Sequence, residues 1–134
     1  MCLAHAAHGV VGDHEIFQGP FPVDLQWETE PVSPHYRDFY SGKDLPEGDM
    51  PTWRVQQTGY TTDDSAEPGV VAGGWGYTDS PDAEFIAGGL NTKGPNSVAL
   101  GRHGPFFHWG FYAEPRDMTE SGRAAFLNTV VYTA

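Results

Sequence analysis

Glycine and proline set the tightest limit on this chain. Seventeen Gly and eleven Pro among 134 residues interrupt most segments before a long helix can form. Regular structure is therefore expected as short strands joined by many turns. One segment escapes this limit. After Pro115-Arg-Asp, Thr119 can cap a helix in which Ala124, Leu127, Val130 and Val131 recur at helical spacing on one face. Four Trp, six Tyr and eight Phe supply large side chains for a core. A chain of 134 residues suits one domain that buries roughly two-thirds of its unfolded surface. The expected fold class is α+β: a β-rich mixed sheet with many loops and one C-terminal helix, in a single domain over residues 1–134.

Strand candidates follow from period-two patterning. Val10-Val11 before Gly12-Asp13 reads as a strand entering a turn. After Pro22 the sequence alternates, with Val23, Leu25 and Trp27 on one face and Asp24, Gln26 and Glu28 on the other, as in a half-buried strand. Residues 31–51 hold Pro31, Pro34, Pro46, Pro51, Gly42 and Gly48 and read mostly as loop, which Tyr36, Phe39 and Tyr40 can pin to the body. Trp53-Arg-Val-Gln-Gln offers a further short strand, and the polar stretch from Thr61 to Pro68 reads as a surface loop. Glycine-interrupted apolar runs at 69–77 and 83–90 flank Asp79-Ser-Pro-Asp, which has loop composition. Ser97 to Gly101 and Phe106 to Tyr112 are candidates for the middle of a sheet. In the second, Phe107, Trp109 and Phe111 share one face, and Phe106, His108, Gly110 and Tyr112 share the other.

Charge and cysteine content narrow the function classes. Eighteen acidic against seven basic side chains give a formal charge of -11, a field that repels phosphate backbones and anionic lipids. Nucleic acid and membrane surfaces are excluded as expected partners, whereas a carbohydrate, a cation or a protein partner is compatible. Cys2 is the lone cysteine, which excludes an internal disulfide framework and a thiolate-rich metal site. The opening residues lack a basic signal-peptide region, and no stretch approaches the ~20 apolar residues of a membrane helix, so a soluble chain is expected.

The segment from Asp82 through Phe111, with Met118-Thr-Glu and Phe126-Leu-Asn-Thr-Val-Val-Tyr, resembles the C-terminal half of glutamine-amidotransferase-like domains of the trehalose-utilisation type, found in long bacterial proteins. Upstream, His14-Glu-Ile-Phe-Gln-Gly-Pro-Phe is similar to that group's His-Pro-Ile-Phe-x-Gly turn, with Glu15 in place of proline. The resemblance implies an α/β domain whose parallel strands precede this tail. Either the chain builds a β-rich body of its own, or a partner or second copy completes the sheet as a homo-oligomer. It also implies that His108 stands where the family's catalytic His would be. Gly110 replaces the carboxylate that orients that His, and Cys2 lies in no Gly-x-Cys-x-Gly elbow, so glutamine hydrolysis is not expected.

Two constellations remain. His5, His8 and His14 form one histidine group, and His103 and His108 another. Imidazole nitrogens suit copper, iron or zinc, and His5, His8, His103 and His108 are the candidate ligands of a small metalloenzyme, an oxidoreductase acting on a carbohydrate. Among the aromatics, Trp75, Tyr77, Trp109 and Tyr112 are the candidates for a platform under a sugar ring, in a non-catalytic module that binds a carbohydrate or a partner. The acidic pairs Asp63-Asp64 and Asp79 with Asp82 match no calcium-loop spacing, and carboxylates in turns usually cap backbone amides.

Overall fold

The structure, a computed structural model, describes residues 2–32, 48–58, 69–91, 94 and 96–134. Its strands are β1 (Cys2–Leu3), β2 (Ala6–His8), β3 (Trp27–Pro31), β4 (Asp49–Arg54) and β5 (Gly69–Val70). They continue as β6 (Ala72–Gly73), β7 (Ala83–Gly89), β8 (Ser97–Val98), β9 (Leu100–His103) and β10 (Phe106–Trp109). A short helix α1 (Trp75–Thr78) precedes β7, and the long helix α2 (Glu120–Tyr132) follows β10. Single 3-10 turns cover Glu15–Phe17 and Pro115–Asp117.

Six strands form the main sheet, in the order β10-β9-β7-β2-β4-β3, and the ribbons β1-β5 and β6-β8 flank it. The fold is α+β and sheet-rich, as the sequence predicts, and every pairing among the described strands is antiparallel. Alternation along the strands then assigns the faces. Trp53, Ala7, Gly89, Leu100, Arg102, Phe107 and Trp109 share the face on which α2 packs, as the Trp109–Phe126 ring contact and the Arg102 guanidinium over the Tyr132 ring show. Phe106, His108, Gly101, Phe85, Gly88, His8 and Thr52 share the other face. The split expected for the Phe106–Tyr112 segment is therefore present: Phe107 and Trp109 pack on the core, Phe111 is buried, and Phe106 is 78% exposed.

Several boundaries differ from the sequence reading. Val10-Val11 is not a strand, because β2 ends at His8 and Gly9, at φ +57°, turns the chain. The strand expected after Pro22 pairs only from Trp27 onward. Val23 and Leu25 still pack on the core, but from an irregular segment, and Trp27 is half exposed. The segment around Trp53 begins earlier, at Asp49, and takes Pro51 into the strand. Ser97 to Gly101 splits at Ala99 into β8 and β9, which belong to different sheets. Most of the loop expected at 31–51, with Tyr36, Phe39 and Tyr40, and the polar loop from Thr61 to Pro68 lie outside the described residues. No helix among the described residues is long and apolar enough to cross a membrane.

Helix α2 starts where expected, with the Thr119 hydroxyl accepting from the Gly122 N–H at 3.0 Å and donating to the Arg54 carbonyl at 2.9 Å. Its buried face is not the one its apolar spacing predicts. Gly122, Ala125, Asn128 and Thr129 are buried, whereas Leu127, Val130 and Val131 are 41%, 56% and 54% exposed. The reason is steric at one end and polar at the other. A Cβ at position 122 would run into the Val55 carbonyl, so only Gly122 lets the first turn lie against the end of β4. Two turns later the Asn128 amide donates to the Ile16 carbonyl (2.8 Å) and the Phe21 carbonyl (2.6 Å) and accepts from the Phe21 N–H (2.9 Å). These bonds satisfy the backbone of an incoming loop that no ladder could satisfy. Asn128→Ala leaves them unmade and should destabilise the protein by about 2–4 kcal/mol, read as a lowered urea midpoint, whereas Val130→Ala should change it by less than about 1 kcal/mol.

Candidate functional site

The four histidines proposed as ligands do not meet. On β7, His8 faces Gly88 across the ladder whereas His103 faces Ala83, so five strand residues, about 17 Å, separate their positions. His8 is largely buried with its ring against Gly88, where a Cβ would lie 2.7 Å from Cε1. Burial lowers its pKa, opposed by a hydrogen bond with the Gly89 backbone. His103 reaches the Ser80 hydroxyl at 3.5 Å, and His108 Nε2 lies 3.0 Å from the Val70 carbonyl oxygen, the geometry of a ring N–H donating to it. Of the four, only His5 sits among other metal-competent groups within the described residues.

The aromatic platform is also divided. Trp109 faces α2 and packs on Phe111 and Phe126, so it belongs to the core face. Tyr77 lies over Gly101 on the opposite face, and burial raises its phenol pKa. Trp75 on α1 and Tyr112 after β10 are exposed. One flat surface cannot contain both Trp109 and Tyr77, because the sheet lies between them.

What does converge lies at the β3 edge of the sheet. His5 Nε2 is 3.3 Å from Glu30 Oε1, and one ligand atom from each of His5, Glu28 and Glu30 falls within 4.8 Å of the others. The Arg54 guanidinium holds Glu28, with Nε at 3.3 Å from each carboxylate oxygen, and its Nη1 donates to the Gln57 carbonyl at 3.2 Å. The backbone under these groups is fixed. Glu28 and Glu30 oppose the buried Thr52 and Met50, and the His5 carbonyl accepts from the Val55 N–H at 2.9 Å. The spacing of Glu28-Thr-Glu30 is itself a sequence signal, since residues two apart on a strand share a face. Nothing in the sequence tells that His5 joins them.

Beside this cluster lies an open groove of about 560 Å³, bordered by Phe21, Asp24, Gln26, Glu28 and Arg54 and by Glu120 and Ser121 of the first turn of α2. Phe21 is half exposed. The Gln26 amide donates to Asp24 at 2.7 Å, and the Ser121 hydroxyl accepts from the Trp53 indole N–H at 2.9 Å. The groove thus combines carboxylates, an amide, a guanidinium and one aromatic face.

A second polar cluster ties the end of α2 to the sheet. Glu84 accepts from Arg102 Nε and from the Tyr132 hydroxyl, each at 2.7 Å, and His14 Nε2 lies 3.6 Å away. Arg102 holds the Glu84 carboxyl below the usual carboxylate range, partial desolvation opposes this, and Tyr132 and His14 add to the lowering. Burial and then Glu84 raise the Tyr132 phenol. Each group here is partnered by another member, so the cluster reads as a clamp. No protein-family model, curated protein or solved structure gives a significant match to this chain.

Two pH effects follow. Because the folded pKa of Glu84 is depressed, its contribution to stability is present above the ordinary carboxylate value, about 4.3, and is lost as pH falls through the folded value. Glu84→Gln should flatten the acid limb of a plot of Tm against pH. The folded pKa of His8 is also lowered, so stability is lost as pH falls below about 6.5, where the unfolded imidazole takes a proton that the folded one refuses. NMR titration should find the His8 ring still neutral below that pH.

Proposed function

We propose that this chain is a non-catalytic binding module of amidotransferase-like descent, and that its ligand is a carbohydrate held in the groove between the β3 lead-in and the first turn of α2. The observation that carries this reading is the groove lining. Asp24, Gln26, Glu28, Arg54 and Glu120 offer both donors and acceptors around the exposed ring of Phe21, the combination that hydroxyl-rich, uncharged ligands use. The formal charge of -11 supports a neutral ligand over a polyanion. The exposed residues Leu127, Val130 and Val131 continue along α2 beyond Ala124, which borders the groove, and give a protein partner or second copy an apolar strip. A second reading, a small metalloenzyme acting on a carbohydrate, is favoured by the convergence of His5, Glu28 and Glu30, since three protein ligands leave coordination positions open.

Chemical-shift mapping with neutral oligosaccharides tests the leading reading. Binding should perturb Gln26 and Glu120 amides, and Gln26→Ala or Glu120→Ala should weaken it about tenfold, the loss of one or two hydrogen bonds. Perturbations centred on Trp75 and Tyr112, with no effect of the groove substitutions, would move the site elsewhere and end this reading.

A further inference from the structure

We propose that His5, Glu28 and Glu30 form a site for one divalent first-row transition ion, with zinc as its probe, and that Arg54 is the resident counter-charge the ion displaces. The donor set is one imidazole nitrogen and two carboxylates, a combination that suits zinc and its neighbours and disfavours calcium, which takes oxygen ligands. Geometry is close to what an ion needs. Ligand atoms about 2.1 Å from a tetrahedral ion lie about 3.4 Å apart, so His5 and Glu30, at 3.3 Å, already have that spacing, and an atom as far as 4.8 Å from the others must close by about 1.4 Å. Glu28 is exposed and can supply that movement by rotating its carboxylate, while the half-buried His5 and Glu30 stay in place.

Charge points the same way. Two carboxylates approach each other, and among the described residues Arg54 is the permanent cation paired with them, in a chain whose net charge is -11. A dication there relieves both the local and the global imbalance. Arg54 does not lie between Glu28 and Glu30. It grips Glu28 from the side through Nε and anchors Nη1 on the Gln57 carbonyl, so it can leave the carboxylate without losing its other bond. The preassembled part is therefore His5 with Glu30, and Glu28 is the ligand that exchanges a guanidinium for the metal. The competing arrangement is two separate contacts, Arg54 with Glu28 and His5 with Glu30.

The inference does not depend on a sugar in the groove, and its test uses the metal alone. Zinc titrated calorimetrically into the full chain near neutral pH should bind saturably at one site, with the His5 imidazole resonances shifting in parallel. His5→Ala and Glu30→Gln should each weaken binding about tenfold or more, and His103→Ala should leave it unchanged. Arg54→Gln should tighten binding about two- to fivefold, the scale of one exposed ion pair removed from competition. Circular dichroism of each variant establishes that it is folded, and Glu30→Gln serves if His5→Ala is not. Absence of saturable binding, or binding untouched by both His5→Ala and Glu30→Gln, overturns the site. Unchanged or weaker binding in Arg54→Gln overturns the displacement.

Discussion

Trp53 is the contact on which the rest of this fold depends. Its side chain is fully buried in β4, meets Phe17 edge to face at 5.4 Å between ring centroids, and donates its indole N–H to Ser121. One residue thereby joins the sheet, the 3-10 turn at Glu15–Phe17 and the first turn of α2. Because an aromatic ring in a close-packed core has few alternative positions, β4 is held in register, and with it the pairs that place Glu28 opposite Thr52 and Arg54 beside them. The polar edge of the molecule thus owes its geometry to an apolar contact on the other face of the same strand.

That arrangement explains why chemistry gathers at one edge. The central strands are occupied on both faces: Ala7 and Ala87 are fully buried in the core, and Gly88 has no room for a side chain beside His8. A ligand cannot enter there. Among the described residues the β3 edge has a neighbour on only one side, and its Glu28 and Glu30 side chains are acidic, which also suits an edge that should not pair with another sheet. Binding at such an edge requires no opening of the core.

Much of the architecture was legible in the sequence because it rests on local rules. The cap at Thr119, the strand from Phe106 with its two unlike faces and the shortness of the remaining strands follow from residue type and period. The helix face was not legible, since Gly122 and Asn128 are buried for reasons located in Val55, Ile16 and Phe21, far away in sequence. Histidine grouping misled for the same reason. Proximity in sequence placed His5 with His8, but successive pairings along β2 send the His8 ring against Gly88 and leave His5 near Glu30, twenty-five residues on. Only the register of β3 on β4, which no short window contains, brings the carboxylates to His5.

The amide of Asn128 has a consequence for how this protein is made. It closes a loop whose backbone it meets across 107 residues, so during synthesis that loop exists long before the group that satisfies it. Until α2 has emerged and docked, the carbonyls of Ile16 and Phe21 have only water to bond, and the Trp53 face of the sheet lacks its cover. Such long-range closure slows folding relative to chains built from local contacts. The apolar face around Trp53 is therefore covered only once α2 docks, and the strong negative charge of the chain works against association of neighbouring copies before that.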